Sequence, residues 1–315
     1  MAFWKDSKVL ITGANGFAGS RLCRRLVEKE AEVYAMVRDS SATLNLRDII
    51  PKIHLVYGDV RYPETVYEVT NDMDYVFNLA AKVNIEETRK NPSETLRTNI
   101  NGTLNVANAC LRNKVKRLVH VSTCHIYGNP AETDLPITEK TIPSPLDVYS
   151  ISKYSAEFLV QNVRTAGLDA VITRAFNHYG PGQTGDFFIA KVIKMLLTDT
   201  VPKLGSSRPT RDYSYVDDIV AGYILACEKG KNGEIYHFAS GKEISIDDMY
   251  KRICDVIGKH PTPVWQSERV NDMSRSFGKY EKAEKELGWE PMTSLEEGLK
   301  LTIQWWKQNA KLLLD

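Results

Sequence analysis

The sequence lacks several features that would place the protein outside the ordinary globular enzymes. No apolar run approaches about 18 residues, so we expect no membrane-spanning helix. The five cysteines are widely spaced and form no C-x-x-C pair, which argues against a disulfide framework and indicates a reducing cytoplasm. The six histidines form no H-x-x-x-H pair, so we also expect no metal site.

The sequence also lacks an excess of charge of either sign. It carries 41 Lys and Arg residues and 40 Asp and Glu residues, which gives a formal net charge of +1 at pH 7. A chain with this balance has no general electrostatic attraction for nucleic acid or for an anionic membrane surface. A strand is predicted almost at the start of the chain, so we expect no signal peptide.

What is present is the composition of a globular protein with a sizeable core. The chain has 315 residues, of which 43% are hydrophobic and 26% are charged. This mixture excludes intrinsic disorder. At about 150 residues per domain, the length predicts two domains, or one large domain with a smaller lobe.

Short β-rich runs alternate with helical patterns in the first half of the chain. We predict strands at residues 8–12, 32–37, 53–57, 75–79, 117–122 and 170–174, and helices at residues 20–29, 93–113 and 149–164. This alternation predicts a parallel sheet covered on both faces, which is a Rossmann-type doubly wound α/β fold.

The regular alternation ends after residue 175. Residues 177–183 are rich in turn formers. We predict further helices near residues 187–197, 216–228, 246–257, 279–287 and 294–310, and one more strand at residues 234–238. This part of the chain is expected to form a smaller lobe.

The first motif with chemical meaning is a glycine-rich turn between the first predicted strand and the first predicted helix. Its sequence is Gly13-Ala14-Asn15-Gly16-Phe17-Ala18-Gly19. Glycines let the main chain turn tightly and approach a pyrophosphate, which the helix N-terminus then stabilises. An ordinary tight turn would also use glycine, but the position within a βαβ unit indicates a dinucleotide cofactor.

The second motif places a tyrosine and a lysine at the start of a predicted helix. Tyr149 and Lys153 are four residues apart and therefore share a helix face. A free phenol has a pKa of about 10, and its use as a base near neutral pH requires a shift of about three units. A neighbouring ammonium group and a cationic nicotinamide would supply this shift, whereas the same pair on a surface helix would have no role.

The third motif follows the fifth predicted strand. Ser122, Thr123, Cys124 and His125 lie where this strand ends, at the carboxyl edge of the sheet. Ligands of doubly wound sheets bind at this edge. Serine and threonine at a strand end also serve as caps, so this motif gains its meaning from the other two.

Together the three motifs resemble the extended short-chain dehydrogenase/reductase family, in its nucleotide-sugar epimerase/dehydratase branch. The resemblance covers essentially the whole chain. It extends to Gly58-Asp59-Val60, Leu79-Ala80-Ala81 and residues 98–103, 174–181, 211–218 and 287–291. It implies an enzyme that oxidises a nucleoside-diphosphate hexose at C4 with a nicotinamide cofactor.

The resemblance implies a role for each candidate residue. Tyr149 would exchange a proton with the sugar hydroxyl, and Lys153 would bind the nicotinamide ribose and lower the pKa of Tyr149. Thr123 would hydrogen-bond the same sugar oxygen. The implied cofactor contacts are Gly13, Asn15, Gly16, Phe17, Gly19, Arg38, Asp59, Val60, Leu79, Ala80, Ala81, Asn99, Ser122, Tyr149 and Lys153. The implied substrate contacts are Ser122, Thr123, Asn177, Arg211, Arg269 and Asp272.

The end of the second strand departs from the pattern of NAD-using family members. Those members normally carry an acidic residue there that binds the adenosine ribose, whereas this chain has Val37 followed by Arg38. A missing carboxylate and an arginine favour the 2′-phosphate of NADP, as in GDP-mannose 4,6-dehydratases. Alternatively, Arg38 stacks on the adenine and Asp39 binds the ribose of NAD.

The pair Cys124 and His125 is the second departure. Sugar 4,6-dehydratases generally carry an acidic residue at the second of these positions, whereas 4-epimerases have small or neutral residues. His125, with an ordinary pKa of about 6.5, would serve as an acid or a base at neutral pH, or it would be structural. Cys124 is the weaker candidate, because a free cysteine usually behaves as a small buried hydrophobe.

We therefore predict a nucleoside-diphosphate-sugar 4-epimerase that works through a 4-keto intermediate, because the acid pair of the dehydratases is absent. A 4,6-dehydratase, an NADPH-dependent 4-keto-sugar reductase and a non-catalytic cofactor-binding regulator are the alternatives. The presence of Thr123, Tyr149 and Lys153 argues against the regulator, since binding alone does not need all three.

The resemblance also implies how the chain is organised. Residues 1–175 and 211–240 would form the Rossmann domain, and residues 176–210 and 241–315 would form the nucleotide-sugar-binding lobe. A homodimer would be built from the helices near residues 93–113 and 149–165.

Overall fold

A parallel sheet of seven strands lies at the centre of the fold. The computed structural model describes residues 3–38, 44–185, 187–267 and 273–313. The strands are β1 Lys8–Thr12, β2 Glu32–Val37, β3 His54–Tyr57, β4 Tyr75–Asn78, β5 Arg117–Thr123, β6 Ala170–Ala175, β7 Asn177–Tyr179, β8 Lys203–Leu204, β9 Thr210–Arg211, β10 Tyr213–Tyr215, β11 Ile235–Phe238, β12 Ile244–Ser245, β13 Val264–Trp265 and β14 Arg275–Ser276. The central sheet has the order β11-β6-β5-β4-β1-β2-β3. All its pairs are parallel, so the predicted Rossmann-type fold is confirmed.

Helices cover both faces of this sheet, which explains why its central strands are apolar along almost their whole length. They are α1 Phe17–Glu28, α2 Pro63–Val69, α3 Ile85–Lys90, α4 Pro92–Leu96, α5 Gly102–Arg112, α6 Val148–Thr165, α7 Phe188–Leu197, α8 Val216–Lys229, α9 Ile246–Ile257, α10 Glu281–Leu287, α11 Leu295–Gln308 and α12 Ala310–Leu313. Short 3₁₀ turns occur at Leu44–Leu46, Ile50–Lys52, Cys124–Tyr127 and Glu132–Asp134. Within the described ranges, no helix combines the length and the apolar character needed to cross a bilayer.

One helix predicted from the sequence is divided in the structure. A π-helical turn, Arg97–Asn101, separates α4 from α5 where the sequence predicts one continuous helix. A π turn widens the helix by one residue without changing its apolar pattern, so periodicity alone does not reveal it.

The lobe beyond β6 contains short strands that the sequence analysis missed. β7 pairs in parallel with β10, so the segment predicted as a turn begins with a strand. β9 lies between β12 and β14 in a small sheet of its own. Around these strands α7, α9 and α11 pack on a separate apolar core that includes Ile189, Ile253 and Trp306.

The predicted boundary at residue 241 assigns α10 to the smaller lobe, but this helix packs on the central sheet. This helix contacts α8 and β11, which belong to the Rossmann domain. Ala283, Leu287 and the following Trp289 are buried in the core of that domain, because the apolar side of α10 faces it. α10 therefore packs on the core of the central sheet.

Candidate active site

The glycine turn lies at the carboxyl end of β1, where the strand order of the sheet reverses between β2 and β4. Gly13 has a φ of +68°, and a Cβ atom there would lie 2.9 Å from the main-chain nitrogen of Ala80. A Cβ atom on Gly19 would lie 2.3 Å from the carbonyl oxygen of Gly13. Glycine is thus required at both positions, and the turn leads directly into the N-terminus of α1, which favours an anionic group.

A cavity of about 800 Å³ extends from this turn to the lobe. The predicted site residues that line it are Gly13, Asn15, Gly16, Phe17, Gly19, Arg38, Asp59, Val60, Leu79, Ala80, Ala81, Ser122, Thr123, Cys124, His125, Tyr149, Lys153, Asn177 and Arg211. Arg269 and Asp272, together with Asp39, lie outside the described residues. The structure thus brings most of the predicted positions to one wall, although they come from many separate segments.

The wall of the cavity fits a dinucleotide cofactor with a polar substrate bound next to it. Ser122 Oγ, Thr98 Oγ1 and Asn177 Nδ2 are buried polar atoms with no hydrogen-bond partner among the described residues. All three residues line the cavity. Buried polar groups are normally hydrogen-bonded, so these atoms indicate the positions of ligand groups.

Asn99 does not line this cavity, contrary to the prediction that it contacts the cofactor. Its Oδ1 accepts a hydrogen bond from the Lys82 main-chain nitrogen at 2.7 Å, and its Nδ2 donates to the Lys82 carbonyl at 3.0 Å. The same Nδ2 donates to Ser152 Oγ at 2.9 Å. Because its amide is engaged in these bonds, Asn99 fixes the segment after β4 against α6.

Tyr149 lies in the first turn of α6 because Asp147 caps that helix. The Asp147 carboxylate accepts from the Ser150 nitrogen at 2.7 Å, and Ser150 Oγ accepts from the Asp147 nitrogen at 3.1 Å. Burial raises the pKa of Tyr149, and the nearby Thr123 hydroxyl only partly opposes this shift.

Lys153 lies one helical turn further along α6 and is buried. Its Nζ donates to the Val121 carbonyl at 2.6 Å, which ties the helix to β5. Burial lowers the pKa of Lys153 to about 8, and the Glu157 carboxylate opposes that shift. From the sequence, Lys153 is expected to lower the pKa of Tyr149, whereas in the structure burial raises that pKa and the Asp147 carboxylate raises it further.

His125 and Cys124 follow Thr123 in a 3₁₀ turn, and only the histidine is placed for proton transfer. Thr123 Oγ1 accepts from the His125 main-chain nitrogen at 3.2 Å, and the His125 ring lies edge-on to the Tyr149 ring with centroids 5.8 Å apart. Burial raises the pKa of Cys124 to about 12, so it stays a neutral thiol. The prediction of Cys124 as a weak catalytic candidate is therefore not supported.

The end of the cavity next to Arg38 contains an ion pair that the sequence did not reveal. Arg61 Nε lies 3.0 Å from each carboxylate oxygen of Asp59, and Arg61 Nη2 lies 2.7 Å from Oδ2. Although burial opposes it, the bonds from Arg61 lower the pKa of Asp59. Asp59 is therefore ionised and oriented, while Arg38 at the same wall is exposed.

Arg211, one of the predicted substrate contacts, lines the lobe end of the cavity. It lies on β9, held between two neighbouring strands, and it is only 9% exposed. Its Nη1 donates to the Thr210 carbonyl at 2.8 Å. A guanidinium group at the wall of a cavity suits a diphosphate, because its N–H donors match pairs of phosphate oxygens.

Comparison with known proteins identifies a family model and relatives that extend over nearly the whole chain. The model of the GDP-mannose 4,6-dehydratase family matches residues 10–302. A trifunctional UDP-glucose 4,6-dehydratase/UDP-4-keto-6-deoxy-D-glucose 3,5-epimerase/UDP-4-keto-L-rhamnose-reductase of Arabidopsis thaliana is 31% identical over 99% of this chain. The chain spans 48% of that relative's length.

Two solved structures share the fold along their full lengths. The UDP-glucose 4-epimerase of Thermotoga maritima, in complex with UDP-glucose, has a TM-score of 0.91 and 30% identity over 96% of this chain and 99% of its own. The dTDP-glucose 4,6-dehydratase DesIV of Streptomyces venezuelae, with NAD and dTDP bound, has a TM-score of 0.91 and 28% identity over 96% and 98%. Both reaction types therefore occur among close structural neighbours.

Proposed function

Because the chain belongs to the GDP-mannose 4,6-dehydratase family of extended short-chain dehydrogenases/reductases, whose members epimerise or dehydrate nucleotide sugars, we propose that it is a nucleoside-diphosphate-sugar 4-epimerase. One observation favours epimerisation over dehydration. Among the described residues that line the cavity, the carboxylates are Asp59 and Glu86, and neither is in the turn that follows Thr123. Dehydratases of this family generally carry a carboxylic acid there, whereas inversion at C4 does not need one.

The proposed reaction removes and returns two electrons at one carbon. Tyr149 accepts the proton of the C4 hydroxyl, and Thr123 hydrogen-bonds the same oxygen. When bound, the nicotinamide would supply a reversible acceptor and donor of the C4 hydride and a positive charge that favours the phenolate. Tyr149 returns the proton to the C4 oxygen after the 4-keto sugar has rotated in the cavity to present its opposite face, so the configuration at C4 is inverted.

The direct test is incubation with a panel of UDP-, GDP-, dTDP- and CDP-sugars, with products identified by mass and NMR. We expect a product of unchanged mass with inverted configuration at C4. A product that has lost one water would show that the enzyme is a dehydratase instead.

A 4,6-dehydratase is the second candidate, and the position of His125 favours it. This side chain lines the cavity beside the Tyr149 ring, at the position where dehydratases carry an acid. Imidazole is the side chain that most readily exchanges protons near neutral pH. In this reaction His125 would move the proton that accompanies loss of water across C5 and C6.

The variant His125→Ala distinguishes the two reactions. For an epimerase we expect turnover to fall by less than about tenfold, because no proton transfer beyond C4 is required. Stopped-flow absorbance of the reduced nicotinamide, paired with product analysis, is the measurement, and His54→Ala on the exposed face of β3 is the control. Reduced cofactor that accumulates without product would support the dehydratase, and loss of the first hydride transfer would contradict both mechanisms.

The cofactor is predicted to be NADP rather than NAD, although the solved dehydratase relative holds NAD. Val37 offers no carboxylate to a ribose 2′-hydroxyl, and Arg38 is exposed at the cavity wall while Asp59 is bound by Arg61. We expect Arg38→Ala to weaken NADP binding by at least about tenfold, since the 2′-phosphate loses a charged hydrogen bond. Titration of the apo-protein with each cofactor is the measurement, and an NAD preference that survives Arg38→Ala would contradict the prediction.

We further propose a homodimer formed by α4, α5 and α6. These helices leave Leu96, Ile151 and Phe158 exposed to 38%, 46% and 60%. Large apolar side chains clustered on one surface are typical of protein interfaces. We expect Phe158→Asp to convert a dimer to a monomer in analytical ultracentrifugation, whereas Ile142→Asp, in the loop before α6 where Ile142 is 85% exposed, leaves the dimer intact. A wild-type monomer would contradict the proposal.

A further inference from the structure

A buried chain of hydrogen bonds connects the helix that carries Tyr149 with the strands beneath it. Arg174 on β6 donates from Nε to Glu157 Oε1 at 3.0 Å and from Nη2 to Glu157 Oε2 at 2.5 Å. Its Nη1 donates to the Tyr127 hydroxyl at 2.6 Å. Glu157 is 3% exposed and Arg174 is 4% exposed. Two full charges are therefore removed from water, and such a pair is stable only with this complete geometry.

The chain continues from Tyr127 to His237, 2.6 Å from the phenol oxygen to Nε2. Burial and the charge of Arg174 lower the pKa of His237 well below its usual value, so the ring is neutral. The network therefore runs without a break from Glu157 through Arg174 and Tyr127 to His237.

This network touches the elements that carry the reacting side chains. Glu157 lies on α6, one helical turn beyond Lys153. Arg174 lies beside Ser122 in the register of β6 and β5. Tyr127 ends the 3₁₀ turn that follows β5. The network therefore connects three segments whose relative position defines the site.

We propose that Glu157, held by Arg174, is a positioning residue for the reaction: it fixes α6 against the sheet and supplies the counter-charge of the Lys153 ammonium group. Residues four apart on a helix share a face, so Lys153 and Glu157 lie on the same buried face of α6, while the carboxylate itself is bonded to Arg174. The Glu157 charge opposes the effect of burial on the pKa of Lys153, as this role requires. The catalytic consequence rests on the proposed function, whereas the effect on Lys153 does not.

Other charged groups on the elements packed against α6 do not take this role. Besides the cysteines, the titratable side chains on these elements are His120 and Arg117 on β5, His125 and Tyr127 in the 3₁₀ turn, Arg174 on β6, Arg97 in the π turn, Arg112 on α5, and Glu86, Glu87, Arg89, Lys90 and Glu94 on α3 and α4. Burial and the charge of Lys153 lower the pKa of His120 well below its usual value, so it is neutral. Glu87 and Glu94 are paired with Lys82, and Glu86 lines the wall of the cavity. Glu157 is the carboxylate that acts on Lys153.

The test separates the charge of Glu157 from its shape. Glu157→Gln keeps the shape and removes the charge, whereas the matched variant Glu157→Asp keeps the charge and shortens the side chain. NMR titration of ¹³C-labelled lysine in the free protein, with Lys153→Met to assign the signal, measures the pKa of Lys153. We expect it to fall by about one unit in Glu157→Gln and to change much less in Glu157→Asp. The alkaline limb of the kcat/KM profile should move to lower pH by the same amount.

A double variant provides a second test in case Glu157→Gln does not fold. Glu157→Gln leaves the buried Arg174 charge without its partner, whereas Glu157→Leu combined with Arg174→Met removes both charges at similar volume. We expect this double variant to fold. Compared with Arg174→Met, which removes only the cation, the double variant should show a lower pKa of Lys153, because the two proteins differ only in the Glu157 charge. Equal pKa values of Lys153 in these two variants would overturn the proposal. A lowered pKa in a protein without epimerase activity would refute the proposed function and leave this inference intact.

Discussion

Replacing Tyr149 with Phe is expected to lower the turnover of a nucleotide sugar by at least about a hundredfold, because the variant loses the proton acceptor of the proposed reaction. Positioned acid–base groups typically contribute about 10²–10⁴-fold to the rate. The ring is kept, so its edge-on contact with His125 and the packing of α6 persist. Cofactor binding should therefore stay nearly unchanged. Initial rates and a fluorescence titration with the cofactor measure the two effects separately.

A matched control is available at Tyr154 on the same helix, which is not one of the residues that line the cavity. Its ring packs against the Phe158 ring with centroids 4.8 Å apart. Tyr154→Phe keeps this ring contact and should therefore retain near wild-type turnover. A Tyr149→Phe protein that kept more than about a tenth of the wild-type rate would show that another group is the base.

The elements that the sequence predicted well are those defined by local physics. The bounds of β1 and α9 match the predictions because a short apolar run and a helical apolar stripe identify them, and Ser245 caps α9 in the structure. β7 was missed because its three residues form a strand only by pairing with β10, more than 30 residues further along the chain. Nothing in the turn-forming sequence of residues 177–183 indicates that partner.

The site also contains features defined by local sequence and features that depend on contacts between distant residues. The glycine turn and the Tyr149–Lys153 pair are contiguous motifs, so the sequence was sufficient to predict them. The ion pair of Glu157 and Arg174 joins a helix to a strand, and its two residues carry no joint motif. The available signal was a charged residue at the end of an otherwise apolar strand, since a charge at such a position is buried only with a partner.

The variant Gly19→Ala is expected to weaken cofactor binding by at least about a hundredfold. Helix propensity alone favours alanine by about 1 kcal/mol within a helix. At this position, however, the new Cβ atom would lie 2.3 Å from the Gly13 carbonyl oxygen and 3.0 Å from Ala14 Cα. Both are main-chain atoms, so the N-terminus of α1 must move away from the turn. A displacement of about 1 Å is enough to lower the effectiveness of a positioned group by about 10²-fold.

Gly205→Ala is the matched control for this effect. Gly205 also lines the cavity, but a Cβ atom there would meet no atom within 4 Å. Calorimetric titration with the cofactor should thus give an unchanged Kd for Gly205→Ala and a much weaker one for Gly19→Ala, with circular dichroism showing that both variants are folded. If Gly19→Ala bound the cofactor as tightly as the wild type, the pyrophosphate would not be held by this turn. The assignment of the turn as the dinucleotide site would then fail, even though its spacing matches the motif.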